Sequence, residues 1–189
     1  MSAEHLPTDN TAIEPASTGL DSDAPKGLLF DLAPIDLSGV VCDRTGLEAI
    51  NPHRADMALL DAVVWRSECG TMGLGVKHIR GDEFWVPGHF PGRPMFPGVL
   101  MIETGAQLAC YMFNVRKNEP TLAAFLRIEN ASFRSQVAPG DTLYVLIREV
   151  KYQKRRFISD IQGVVPTDGS FRIAFDSRIS GMSLGNRGY

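Results

Sequence analysis

The sequence predicts an α+β domain in which one long central helix is wrapped by an antiparallel sheet of about six strands. Two observations predict it. From Val99 to Val115 the chain reads VLMIETGAQLACYMFNV, a helix that is apolar nearly all round and therefore needs cover on both faces. The C-terminal third instead alternates. In RFISDIQGVV, Phe157, Ser159, Ile161, Gly163 and Val165 share one face, and in SFRIAFDSRI, Phe171, Ile173, Phe175 and Ile179 stand opposite Arg172, Asp176 and Arg178. Period two with a polar face means antiparallel strands with one side wet. Gly105, Ala106 and Ala109 on the helix are small enough to let a sheet approach closely.

Taken in order, residues 1 to about 26 are rich in Ser, Thr, Asp, Pro and Ala. They carry too few large apolar groups to offset ordering entropy and read as a disordered tail. A transitional stretch, LLFDLAPIDLSGVV, completes an N-terminal extension over residues 1–44. TGLE at Thr45 to Glu48 has the spacing of a capping box for a short helix, which NPHR stops. MALLDAVVW, from Met57 to Trp65, is a strand by its valines and tryptophan, and LGVKHIR, from Leu74 to Arg80, is a second. APGD turns the chain into the strand TLYVLIREV, and PTDG at Pro166 to Gly169 joins the last two strands as a hairpin. The folded domain is expected over residues 45–182, with 183–189 as a tail. No internal repeat is present.

At 189 residues the chain holds one good core and is too short for two large domains. A net charge of -3 argues against bulk nucleic-acid binding, which wants a basic face. Cys42, Cys69 and Cys110 are an odd count without CxxC spacing. They suggest neither a disulfide framework nor a zinc knuckle, so a reducing, cytoplasmic setting is expected. The N-terminus lacks the basic and apolar regions of a signal peptide. The most apolar window, Met95 to Val115, contains Glu103, Gln107 and Pro97 and makes a poor membrane span.

The chemistry is concentrated in PGHFPGRPMFPGVLMIETGAQ, Pro87 to Gln107. Pro91, Pro94 and Pro97 forbid helix before Gly98, and Pro97 stands where a missing N–H costs nothing. His89 is thus held on a stiff segment beside a helix N-terminus, where the N–H groups of Gly98 and Val99 are open to a ligand. Glu103 lies about a turn and a half further in, and Gln107 follows at i+4, placed to orient it. Burial disfavours the charged form of a carboxylate, so Glu103 is expected to act as a neutral acid in an apolar enclosure. Histidine is a fair base at neutral pH. A base, an acid and an oxyanion-type donor pair suit proton abstraction next to a carbonyl with protonation of a leaving hydroxyl. Each part alone has a plainer reading: a histidine among prolines is commonly structural, and an acid in an apolar helix is commonly paired with a core cation. His53 reads as a helix stop, His78 as a surface or edge residue, and the basic run from Lys151 to Arg156 as a solvated strand end.

The combination is more specific than its parts. GHFPGRPMFPGVLMIETGAQ closely resembles the signature of bacterial 3-hydroxyacyl-[acyl-carrier-protein] dehydratases of the FabZ type, hot-dog fold enzymes of fatty acid synthesis. INPHRADMALLDAVV resembles the opening of that family, and RIENASFRSQVAPGDTLYV its later segment, so the resemblance covers about Thr45 to Ile179. It implies dehydration of a (3R)-3-hydroxyacyl thioester to the trans-2-enoyl thioester. It casts His89 and Glu103 as catalytic, with the N–H of Gly98 on the thioester carbonyl. It implies no metal and no organic cofactor. The substrate would ride on acyl carrier protein or coenzyme A, and the enzyme would be a homodimer, or a trimer of such dimers, each site joining the histidine of one subunit to the acid of its mate. Arg93, Arg127, Arg134 and the Lys151–Arg156 run are candidate docking cations for an acidic carrier. The chain departs from the family's pattern at Ala124, where many members have a gating tyrosine, and at Arg127 and Gln136. A hot-dog thioesterase and a non-catalytic acyl-binding or scaffold subunit are the alternative readings.

Overall fold

The computed structural model describes residues 27–186. The tail expected over residues 1–26 lies outside the described residues, as do 187–189. The elements run α1 (Arg44–Ile50), a single 3₁₀ turn (Ala55–Met57), β1 (Ala62–Arg66), β2 (Met72–His78), α2 (Gly98–Asn114), β3 (Thr121–Phe133), β4 (Thr142–Tyr152), β5 (Arg156–Thr167) and β6 (Ser170–Asn186). The strands form one sheet in the order β1-β2-β4-β5-β6-β3, and every neighbouring pair is antiparallel. The helix-in-a-sheet architecture expected from the sequence is therefore the one observed.

Helix α2 supplies the spine of the main core. Leu108, Ala109, Met112 and Phe113 pack with Val145, Ile147, Ile161, Phe175 and Ile179 of the sheet. The close approach needs a glycine: a Cβ on Gly105 would stand 2.6 Å from Cδ1 of Ile161. Six strands for one helix leave the sheet with two edges, β1 and β3. On β3, Phe125, Leu126, Ile128 and Phe133 are exposed. An apolar strand edge of this kind is a ready template for another chain.

Four expectations need correction, each for a physical reason. The first strand starts at Ala62, not Met57, because Gln107 takes the backbone before it. The Gln107 side chain accepts from the N–H groups of Leu59 and Leu60 and donates to the carbonyl of Met57, so this segment is tied to α2 instead of to the sheet. The cap of α1 is Asp43, whose carboxylate accepts from the N–H of Gly46, in place of Thr45. The hairpin strands do not keep one face: Gly163 pairs with Phe175 but Val164 with Ile173, so Ala174 is a bulge. A bulge reverses the inside–outside phase, putting Phe175 and Ile179 in the main core and Phe171 and Ile173 against the opposite face. Nor is that opposite face wholly wet. Phe30, Leu32 and Ile35 cover Val64, Met72, Leu74, Val76, Leu146 and Val164. Gln162 clips the covering segment down, donating to the carbonyl of Gly27 at 2.7 Å and accepting from the N–H of Leu29 at 2.9 Å. Cover on both sides explains why β2 is buried continuously from Met72 to Lys77. Chain on both sides of the 45–182 span thus belongs to the packed unit, β6 running on to Asn186.

Candidate active site

Pro97 is the N-cap of α2, and the first main-chain bonds of the helix return to its carbonyl from Leu100 and Met101. Among the described residues no hydrogen bond engages the N–H groups of Gly98 and Val99. They point out of the helix start with the positive end of its dipole. The glycine is required by its neighbour: a Cβ at Gly98 would lie 2.7 Å from the ring of Phe133. Val99 is 72% exposed, so the surface beside these donors is open in one chain.

His89 sits on the non-helical segment leading into α2, in a cis peptide with Phe90, whose ring stacks on it at 4.1 Å. Its main chain is held on both sides. The His89 N–H donates to the carbonyl of Trp85 at 2.9 Å, and its carbonyl accepts from the N–H of Met95 at 2.8 Å. The ring Nδ1 lies 2.8 Å from the carbonyl oxygen of Met95. A carbonyl can only accept, so Nδ1 carries a proton, and in the neutral ring Nε2 holds the lone pair that can accept one.

Glu103 is reached from the helix side. Gln107, buried and one turn on, donates from Nε2 to Oε1 of Glu103 at 2.9 Å. Gln107 uses all four of its hydrogen-bonding positions on protein groups. It thus orients Glu103, as its i+4 spacing predicts, and also fixes the chain before β1. The apolar enclosure expected for Glu103 is not what one chain provides: the side chain is 20% exposed, and its second partner is the Nε2 of His53, 3.2 Å away. His53 was expected only to stop a helix. No spacing rule connects residues 53 and 103; the contact arises because Asn51 anchors the end of α1 to the carbonyl of Gln107 at 2.8 Å.

Within one chain no hydrogen bond or ion pair joins His89 to Glu103 among the described residues. Of the expected docking cations, Arg93 reaches Gln136 at 3.4 Å, Arg127 pairs with Glu129 and Arg134 with Asp176. Lys151, Lys154, Arg155 and Arg156 are exposed; no ion pair engages them among the described residues. No group of three or more His, Cys, Asp or Glu side chains is placed to hold a metal ion among the described residues.

Comparison with known proteins then decides the family. The model of the FabA-like domain matches residues 51–174, well over half of the chain. The chain belongs to the FabA-like family. It is 37% identical over 134 residues to the 3-hydroxyacyl-[acyl-carrier-protein] dehydratase FabZ of Halalkalibacterium halodurans, a match covering 67% of this chain and 95% of that one. To the FabZ of Acetivibrio thermocellus it is 33% identical over 133 residues, covering 68% and 90%. Among solved structures it is similar to a chain of the dehydratase heterocomplex ApeI:P from Xenorhabdus doucetiae, with a TM-score of 0.58 at 17% identity over 72% of this chain and 90% of that one. A hypothetical thioesterase with coenzyme A from Streptococcus pneumoniae superposes with a TM-score of 0.50 at 9% identity, over 67% and 87%. At those identities the structures speak for the shared hot-dog fold alone. The relatives that cover nearly their whole length are dehydratases, and the match takes in the helix start, His89 and Glu103. No helix among the described residues is long and apolar enough to cross a membrane.

Proposed function

We propose that this FabA-like protein is a hydro-lyase that dehydrates (3R)-3-hydroxyacyl thioesters, carried on acyl carrier protein, to trans-2-enoyl thioesters in fatty acid biosynthesis. The observation that carries the reading is the contact of His89 Nδ1 with the carbonyl oxygen of Met95, which leaves Nε2 of the neutral ring to accept a proton, in a chain whose relatives are named dehydratases. The thioester carbonyl accepts from the N–H of Gly98, with the helix dipole and the neighbouring Val99 N–H favouring negative charge on that oxygen. Nε2 of His89 removes a proton from C2. The C3–OH bond breaks with a proton delivered from Glu103, water leaves, and the C2–C3 double bond forms. Gln107 and His53 hold the carboxyl of Glu103 for that delivery.

No hydrogen bond or ion pair joins His89 to Glu103 among the described residues of one chain, and we assign each site to two chains of a homodimer. The exposed apolar edge of β3 is the surface that supports this, since a second copy of β3 laid against it continues the sheet and covers Phe125, Leu126, Ile128 and Phe133. Cys42, Cys69 and Cys110 form no disulfide, and we propose a reducing, cytoplasmic setting.

A direct test supplies a 3-hydroxyacyl thioester to the purified protein and follows both products. Rising enoyl thioester absorbance without free thiol is expected. Release of free thiol without the enoyl product would instead mark a thioesterase.

The pairing pattern also refines the carrier surface. Arg127 pairs with Glu129 on its own strand and Arg134 with Asp176 on β6, whereas Lys151, Lys154, Arg155 and Arg156, in and beside the β4–β5 turn, have no ion pair among the described residues and are open to an acidic carrier. Charge reversal at Lys154 and Arg155 is expected to raise KM for the carrier-linked substrate more than for a small thioester, and added salt to narrow the gap. Equal effects on both substrates would contradict docking at this turn.

A further inference from the structure

The reaction above leaves one buried charged pair unused. Lys77 on β2 and Glu83 in the following loop are 1% and 9% exposed, with Nζ and Oε2 2.9 Å apart. Taking both charges out of water is costly, and an apolar pair of the same volume often serves stability as well or better. A chain that keeps such a pair needs another reason for it, and the bonds around it supply one.

Glu83 is the hub of the loop that carries His89. Its Oε1 accepts from the main-chain N–H of Arg80 at 2.9 Å, and its Oε2 accepts from the indole Nε1–H of Trp85 at 3.1 Å as well as from Lys77. The main-chain carbonyl of Trp85 in turn accepts from the N–H of His89 at 2.9 Å and of Gly88 at 3.1 Å. The Trp85 ring packs on Phe96 at 5.5 Å, and the Lys77 ammonium stands 5.4 Å from the centre of that same ring. Phe96 adjoins Met95, whose carbonyl holds Nδ1 of His89. Both main-chain attachments of the histidine, before it through Trp85 and after it through Met95, therefore lead back to one buried ion pair. Burial alone would raise the Glu83 carboxyl, yet the Arg80 N–H, the Lys77 ammonium and the Trp85 indole together hold it below the ordinary carboxylate range, so the hub is an anion with every bond in use.

We propose that the Lys77–Glu83 pair is the positioning device of His89: the two are positioning residues that fix the Trp85 anchor and thereby aim Nε2 at the reacting C2–H. The proposal rests on the reading of His89 as the catalytic base. Removing the pair leaves the imidazole, its tautomer-fixing carbonyl and the helix start in place but frees the anchor. Displacement of a reacting group by about 1 Å costs on the order of 10²-fold in rate.

The test replaces both charges together, Lys77→Met with Glu83→Gln, so that no lone buried charge remains and an amide oxygen still accepts from the Arg80 N–H, and adds Trp85→Phe, which removes the indole donor and keeps a ring against Phe96. The dimeric proteins are compared with wild type and with His89→Ala for Tm, kcat and KM. The double variant is expected to keep its Tm within a few degrees, while kcat falls roughly 10- to 100-fold and KM stays within about twofold. Trp85→Phe is expected to shift in the same sense by a smaller factor. A merely structural pair predicts the opposite split, with Tm changed and kcat per folded molecule unchanged; that result, in the double variant or, if it fails to fold, in Trp85→Phe, overturns the proposal. Turnover retained by His89→Ala would overturn the catalytic reading itself. A dead His89→Ala beside a fully active double variant would overturn only the positioning role.

Discussion

Replacing Glu103 by glutamine is expected to lower kcat by at least about 10²-fold, the usual size of a lost general acid and roughly 3 kcal/mol of barrier, in a protein that still folds and binds acyl thioester. The local geometry explains why folding survives. The amide oxygen of a glutamine still accepts from Nε2 of Gln107, as Oε1 of Glu103 does now at 2.9 Å, and nothing else in the helix changes. On the proposed mechanism, what is lost is the proton that the leaving hydroxyl requires. KM should change little, because the proposed mechanism holds the thioester at the helix start by Gly98 and not by this carboxyl. Steady-state kinetics on wild type and Glu103→Gln, with thioester binding measured separately, check the split. Near-normal turnover would remove Glu103 from the mechanism.

The helix and the hairpin strands were legible because periodicity reports what must be buried. Apolar residues all round Val99–Val115 leave no exposed face, and alternation along β5 can only be a strand. The failures have equally specific causes. The phase of β6 turns on one extra residue, Ala174, and a bulge leaves no mark in a pattern read residue by residue. The sequence places the start of the first strand five residues too early because nothing local reveals that Gln107, nearly fifty residues away, satisfies the backbone at Met57, Leu59 and Leu60. The segment from Leu28 to Leu37 looked transitional because its apolar residues have no period; they fit a surface that only the folded sheet creates.

The candidate site divides in the same way. His89, Gly98 and Glu103 lie within fifteen residues of one another, and proline stiffness, a helix start and an i+4 amide are all local signals. His53 beside Glu103 is a long-range contact and was invisible. The charges were legible as residues but not as partners: Arg127 and Arg134 read as free cations until the fold placed Glu129 and Asp176 beside them.

The central claim is that each site is built from two chains, and complementation tests it most directly. His89→Ala and Glu103→Ala proteins are each expected to be inactive. Mixed in equal amounts through unfolding and refolding, they pair at random, and about half the dimers contain one chain of each kind. In every such dimer one site carries both defects and the other carries neither. About a quarter of wild-type activity should therefore return, by this symmetry argument. Were both residues of a site supplied by one chain, every site would keep a defect. Activity that stays at the level of the separate variants, with mixed dimers shown to have formed, would contradict the shared site.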